Sequence, residues 1–420
     1  MLAINGSARV TDIAPEPRFY PLKSNDFRFR LANNKIDAGG TLTDPETGTR
    51  VADVTIDHRL STGNGGAVID VPGIKFALRG LQPTDLTRLT EGIVALVDGT
   101  VSGQGRINWT GSGQVTSTGE FTTNDLDLAA AFGPVTGLST TIRFTDLLGL
   151  ETAPGQMLNV ALLNPGIEVL NGQVRYQLLP GRLVKIERGE WPFMGGRLIL
   201  EETILNFNRP TAKRLTFTVV GLNAETFVDT LQFSGIKASG IFDGVLPMIF
   251  DESGGRIVGG RLESRPGGGT LSYEGAVSKA NLGTMGSLAF DALRSLRFSN
   301  MVIRLDGDLA GEFAAGLTID QVGLANATGT QRLVKSVLGK IPFKFNVSIR
   351  GPFRALIAMA KSFRDPRNVI DEVMPVPIND VPGIVTEVRR REEEQTQTQT
   401  PVEQDIEVST KPPSESEPSQ

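Results

Sequence analysis

The sequence holds no cysteine, one histidine, two tryptophans and three tyrosines in 420 residues. Without cysteine there is no disulfide framework and no thiolate metal site. With His58 as the single imidazole, paired-histidine zinc motifs have no material, and neither GxSxG nor HExxH occurs. His58 has no recognisable nucleophile or base partner around it and reads as a rim or surface residue. An excess of basic charge is also missing. Lys+Arg 42 against Asp+Glu 47 leaves −5. Residues 387–420, with nine acidic and four basic side chains, account for all of that, so the body is balanced at 38 against 38. A neutral body lacks the basic face that displaces counterions from phosphate, which excludes nucleic acid as a partner. The longest uncharged run, Thr152–Ile167, is sixteen residues broken by Pro154, Asn159, Asn164 and Pro165. That falls short of the ~20 apolar residues of a spanning helix. Residues 1–20 carry Asp12 and Glu16 and no apolar core, so no signal peptide is expected.

What is abundant is punctuation. Gly 48 and Pro 24 separate short runs that alternate apolar and polar, the period of a half-buried strand. Val54, Ile56 and His58 point one way, and Thr55, Asp57 and Arg59 the other. Strand-like runs at Phe27–Leu31, Val51–Leu60, Ala67–Val71 and Ile74–Leu78 flank turn residues, the last two around Pro72-Gly73. The alternation is clearest later. Val174, Tyr176 and Leu178 share a face against Arg175 and Gln177; Val184 and Ile186 share one against Lys185 and Glu187. Leu198 and Leu200 stand against Ile199 and Glu201, and Leu215, Phe217 and Val219 against Thr216 and Thr218. Phe343, Phe345, Val347 and Ile349 oppose Lys344, Asn346 and Ser348.

Helical patterns are few and short. Thr84 is placed to cap a helix through Leu86, Leu89 and Ile93, and Asn223 one carrying Phe227, Val228 and Leu231. Met285–Leu296, Gln331–Leu338 and Phe353–Phe363 complete the set. So few helices cannot cover roughly fifteen to twenty strands of ~5–6 residues each. Either the sheet folds on itself or its apolar face stays open, and an ordinary half-buried sheet is the simpler reading of the alternation alone.

The stretch Gly235–Tyr273 organises the rest. Asp243-Gly244 and Gly254-Gly255 supply the positive φ of tight turns, and Gly259-Gly260 suggests a bulge or bend. Pro266–Thr270 lacks the Gly-Lys-Ser/Thr ending of a phosphate loop and reads as a hairpin turn. Asp251-Glu252 and Glu201-Glu202, adjacent on strands, face opposite sides. Asp306-Gly-Asp308 reads as a turn before it reads as a calcium site. No metal, cofactor or enzyme activity is expected.

FDGVLPMIF (Phe242–Phe250) with GGRIVGGRLESRPGGGTLSY (Gly254–Tyr273) resembles the C-terminal region of the YdbH family, AsmA-like and TamB-related proteins whose C-terminal domain carries a "dicarboxylate transport" label. Phe132–Leu150, Leu162–Gly181, Glu190–Leu200 and Ile341–Phe353 fit the same family. The resemblance covers most of residues 80–370 and corresponds to the C-terminal half of such a protein. It implies a mainly β fold: an elongated, curved, U-shaped antiparallel sheet whose concave face is an apolar groove. Three regions are expected, a continuous sheet over 1–325, a helix-strand-helix closing the groove over 326–371, and a disordered acidic Pro/Ser/Gln/Thr-rich tail over 372–420. Within that tail Val381–Val388 has the pattern of one further strand.

The implied function is phospholipid transport between inner and outer membranes, in the periplasm, tethered to the inner membrane through an N-terminal anchor upstream of this sequence. Exposing some thirty acyl methylenes at ~0.8 kcal/mol each raises a barrier on the order of 20 kcal/mol, which a continuous apolar gutter removes. Candidate groove residues are Val174, Tyr176, Leu178, Leu198, Leu200, Phe217, Val219, Phe343, Phe345, Val347 and Ile349. Fifteen to twenty strands at ~4.8 Å give roughly 70–100 Å of groove. The implied partner is a small outer-membrane lipoprotein that adds a strand at the edge near Ile341–Ile349. The alternative is an envelope scaffold or outer-membrane assembly factor of the TamB kind. Small-anion carriage would need a clustered Arg/Lys pocket, and the body's basic residues are scattered singly.

Overall fold

The computed structural model describes residues 1–130, 133–164, 168–208, 211–230, 236–251, 254–273, 296–309, 312–320, 323–324 and 345–352. The fold is mainly β, and every strand pairing described is antiparallel. By backbone proximity the chain divides into two compact units, Met1–Gly221 with Val245–Val258, and Leu222–Gly244 with Gly259–Gln420.

The first unit is built from β1 (Leu2–Val10), β2 (Leu22–Ala32), β3 (Lys35–Thr43), β4 (Arg50–Arg59), β5 (Gly65–Phe76), β6 (Val94–Trp109), β7 (Val115–Ala130) and β8 (Gly133–Asp146). It continues with β9 (Glu151–Thr152), β10 (Gln156–Leu163), β11 (Val169–Leu179), β12 (Leu183–Phe193), β13 (Gly196–Leu200), β14 (Thr203–Asn206) and β15 (Lys213–Asn223). Each strand from β1 to β8 pairs with the next. The ladder then runs β8–β10–β11–β12–β13–β15. β9 lies beside β8 and β14 beside β12. Among the described residues β1 pairs with β2 alone, so the meander does not close into a barrel.

Two expectations change here. Pro72-Gly73 does not separate two strands. Both residues lie inside β5 at a register shift between Val71 and Ile74, a bulge that absorbs the proline's missing N–H. Thr84 is not a helix cap either. Helix α1 (Pro83–Leu86) starts after Gln82, whose backbone N–H donates to Asp85 Oδ2 at 2.8 Å and whose carbonyl accepts from the Asp85 N–H at 3.0 Å, and Pro83 is suited to a first turn because its absent N–H is not needed there. Thr87 instead caps the 3-10 turn Arg88–Thr90 by accepting from the Leu89 amide.

The strands of this unit bend. Val94, Ala130, Gly133, Val135, Leu163 and Val169 follow one another across the ladders and mark one rim. Trp109, Val115, Phe144, Leu179 and Leu183 mark the other. Leu89 precedes Val94 by five residues, at most about 18 Å of chain. Yet its carbonyl accepts a hydrogen bond from Arg182 Nη2 at 3.2 Å, on the opposite rim. A straight strand of 16 residues such as β6 would hold its ends about 50 Å apart. The two rims therefore approach each other as the lips of a trough.

The second unit holds α2 (Ala224–Thr230), β16 (Ile236–Ser239), part of β17 (Ile241–Asp251) and part of β18 (Gly254–Ser264). β19 (Gly269–Tyr273), β20 (Leu296–Phe298), β21 (Asn300–Asp308), β22 (Glu312–Asp320), β23 (Gly323–Leu324) and β24 (Phe345–Pro352) follow. Asn223 caps α2 as its sequence predicts, accepting from the amides of Glu225 at 2.9 Å and Thr226 at 3.2 Å. β19 pairs with β16 and β20, β20 with β23, and β22 with both β21 and β24. Phe242 and Phe298 pack ring to ring at 6.3 Å.

Asp243-Gly244 is not a turn: both residues run inside β17. The Gly pair at 254–255 opens β18 with Gly254 at φ 107, and Gly259 has φ 69 in mid-strand, the irregularity its sequence suggested. Pro266–Gly268 is a turn with Gly267 at φ 107, but it leads into β19, which pairs with β16 and β20 rather than forming a hairpin with β18. The helix patterns at 331–338 and 353–363, the 372–420 tail and the 381–388 strand pattern lie outside the described residues. So does 285–295, while Leu296, its last member, opens β20.

Candidate functional site

Cross-strand partners in a sheet put their side chains on the same face, so the registers trace a face residue by residue. One row runs Ile74, Val101, Thr123, Thr140, Leu158, Val174, Gly189, Leu200, Phe217, crossing nine strands without a break. At ~4.8 Å per strand its eight steps cover about 38 Å. A parallel row, Ile4, Phe29, Ala38, Ile56, Ala67, Ile107, carries the same face back to β1.

The opposite face reads Asp53, Asp70, Gln104, Glu120, Arg143 and, further along, Ser139, Asn159, Gln173, Glu190, Ile199, Thr218. Its charges pair with each other in water. Arg143 Nε is 2.8 Å from Glu120 and Arg197 Nη1 is 2.9 Å from Glu190. Arg197 first, and after it the Arg188 guanidinium, hold the Glu190 carboxyl below its ordinary range.

The seven candidates on β11–β15 all fall on the apolar face. Val174, Leu200 and Phe217 belong to the nine-strand row. Tyr176 pairs with Ile186, Leu178 with Val184, and Leu198 with both Trp191 and Val219. Apart from half-buried Leu178 they are dry, with Phe217 at 6% exposure and Val219 at 0%. Burial raises the Tyr176 phenol pKa, against the smaller opposing effect of a hydrogen bond with Thr140. Phe343 lies outside the described residues. Phe345, Val347 and Ile349 lie on β24, in backbone register with Ile319, Leu317 and Ala315 of β22.

Sequence reasoning missed Trp191, the largest fully buried side chain of the face. Trp191 is 2% exposed, lies over Gly172 and Gly189, and tilts against Phe217 at 6.3 Å. A β-carbon on Gly172 would collide with the indole. These two glycines thus make room for a flat ring, a close approach that no other residue type permits. His58 is also on this face. Its Nδ1 accepts from Trp109 Nε1 at 3.0 Å with the rings stacked, so the imidazole is a structural partner of the indole.

The middle of the trough is roofed. The β5–β6 connection, residues 77–93, leaves one rim at Phe76, touches the other through the Leu89 carbonyl and returns at Val94. Leu81, 2% exposed, and half-buried Leu86 enter a cluster with Val71, Ile74, Phe76, Val101 and Phe121 of the apolar face. The β1–β2 connection, residues 11–21, runs beside it. Phe19 bridges Thr87, and the Tyr20 and Arg88 amides donate to the Leu86 and Arg18 carbonyls at 3.0 and 2.9 Å. Arg18 Nη1 then donates to the Leu148 carbonyl at 2.7 Å, in the turn after β8. That turn drops Leu147 onto the face, where a β-carbon on Gly105 would stand 2.6 Å from its methyl group. At β1 the same face is bare, with Leu2 and Ile4 each 51% exposed.

Among the described residues no cluster of His, Cys, Asp or Glu is arranged to hold a metal, and no helix is long and apolar enough to cross a membrane. Comparison with curated proteins gave no match, and comparison with solved structures gave none. One family model, YdbH-like, described as intermembrane phospholipid transport protein YdbH, matches residues 13–375. Spanning most of the sequence, that match makes this chain a member of the YdbH-like family.

Proposed function

We propose that the chain conducts phospholipids between the inner and outer membranes by holding their acyl chains against the apolar face of the bent sheet, with head groups in water. The observation that carries this is the nine-strand row from Ile74 to Phe217, apolar but for two threonines and a glycine, backed by a charged face on the same strands. An antiparallel sheet needs only one dry face to be stable. A dry face continued sideways over many strands, between lips that approach each other, also removes the cost of exposing an acyl chain, ~0.8 kcal/mol per methylene.

On this reading Val174, Tyr176, Leu178, Leu198, Leu200, Phe217 and Val219 contact acyl chains, as do Phe343, Phe345, Val347 and Ile349. The chain works in the periplasm, tethered to the inner membrane by an upstream anchor. A small outer-membrane lipoprotein adds a strand beside β24, which pairs on one side with β22. The test is extraction of the purified chain followed by lipid mass spectrometry. Bound phospholipid near one or more molecules per chain, lost in a Phe217→Glu variant that keeps its β circular dichroism, is the expected result. Bound β-barrel precursors without lipid would instead favour the TamB-like assembly role.

A further inference from the structure

β5 and β6 end at the same rim and need only a short turn to join them, yet the chain spends residues 77–93 crossing to the far rim and back. The crossing has a buried base and a half-exposed tip. At the base, the Gln82 side-chain amide donates to the carbonyls of Ala77 at 2.7 Å and Val97 at 2.8 Å and accepts from the Val97 amide at 2.8 Å. Leu81 and Val97 are both 2% exposed there. At the tip, no residue of α1 or of the 3-10 turn is fully buried. The Arg182–Leu89 hydrogen bond holds it to the far rim, and the 11–21 segment holds its flank through the Phe19–Thr87 bridge and the Tyr20–Leu86, Arg88–Arg18 and Thr87–Arg18 hydrogen bonds, with Arg18 in turn tied to Leu148. Arg182 Nε is buried with no acceptor, so this latch leaves part of its donor capacity unused.

Resting on the transport reading above, we infer that residues 83–93 are a gate on the trough: with the tip latched, Leu86 and its neighbours occupy the apolar face between β4 and β8 and block an acyl chain, and the tip lifts about the Gln82 base to let one pass. A permanent roof would be sunk into the core along its length, as Leu81 is. A segment buried at its hinge and only partly buried at its tip is arranged to move between two positions.

The chain has no cysteine, which makes the test direct. Leu89→Cys with Arg182→Cys allows a short, reducible thiol cross-linker to hold the tip to the far rim. A photoreactive benzoylphenylalanine in place of Phe29, in the open section, or of Phe217, beyond the gate, reports lipid after incubation with phosphatidylethanolamine vesicles. In the unlocked protein both positions label. With the cross-linker on, labelling at 217 is expected to fall at least tenfold while labelling at 29 stays, and reductant restores it. Each single-cysteine variant carrying the same reagent should behave as unlocked, which separates locking from damage to the fold. Equal labelling at 217 with and without the lock overturns the gate and leaves transport standing. Absence of lipid at both positions in the unlocked protein overturns the transport reading and the gate with it.

Discussion

The apolar face looks alike in pattern at its two described ends and differs in depth. At β1–β3 it is made of Leu2, Ile4, Phe29 and Ala38, with Leu2 and Ile4 half in solvent. At β11–β15 it is made of Val174, Tyr176, Trp191, Leu200, Phe217 and Val219, all below a tenth exposed. The alternation period is the same, so it decides which side a residue faces and nothing more. Depth is decided by what stands opposite, and by small-large pairing such as Trp191 over Gly172 and Gly189. One part of the face is presented to solvent and the other is packed like a core.

The sharpest way to break that comparison is to truncate one large side chain at each end. Trp191→Ala should cost about 3–5 kcal/mol in denaturant unfolding, as large aromatic deletions in packed sites do. Ile4→Ala should cost less than about 1 kcal/mol, since half of its surface never leaves water. Equal losses would mean that the two ends are packed alike. Next in size is Gly172→Ala, which pushes a methyl group into the indole and should destabilise by roughly 1–3 kcal/mol. The same change at Gly6, where a β-carbon meets nothing within 4 Å, should be close to neutral. Thermal melts of the two variants check the difference.

A smaller effect concerns acid. The Asp146 carboxyl is held below its usual range, first by the Ser117 hydroxyl and then by the Gly149 and Leu148 amides. A carboxyl with a lowered folded pKa contributes stability above its unfolded value, ~4, and loses it as pH falls through the folded value. The turn that places Leu147 on the face should therefore loosen at acid pH, seen as faster amide exchange at residues 147–150. Asp146→Asn should show that loosening already at neutral pH and flatten the acid limb. The smallest change is expected at Glu120→Gln, because its pair with Arg143 is exposed on both sides. A shift under about 0.5 kcal/mol is the expected result of that substitution.

How much of this was legible in the residues follows from the range of each interaction. Strand faces are local, and Val174, Tyr176 and Leu178 or Leu215, Phe217 and Val219 declare them by period alone. The cap of α2 is local too, and Asn223 announced it. Punctuation misled where neighbours overrode it. Asp243-Gly244 has the composition of a turn and runs straight through β17, and Pro72-Gly73 bends β5 without ending it. The roof was not legible. Its helix pattern pointed to residues 84–93, but an arginine reaching the carbonyl of a residue 93 positions away leaves no trace in spacing or composition. Trp191 was passed over for a related reason: the glycines beneath it lie on strands, where glycine ordinarily signals a bend.

The central claim is that one face of these strands, followed sideways, is the surface that meets lipid. It is tested most directly by placing a photoreactive benzoylphenylalanine in turn at Val101, Leu158, Leu200 and Phe217 on one row and at Gln104, Glu120, Arg143 and Gln173 on the other face. The protein is irradiated where it has access to phospholipid, and adducts are identified by mass. Phospholipid adducts confined to the first set are the predicted result. Adducts as frequent on the second set, or none at any position of the first, would contradict it.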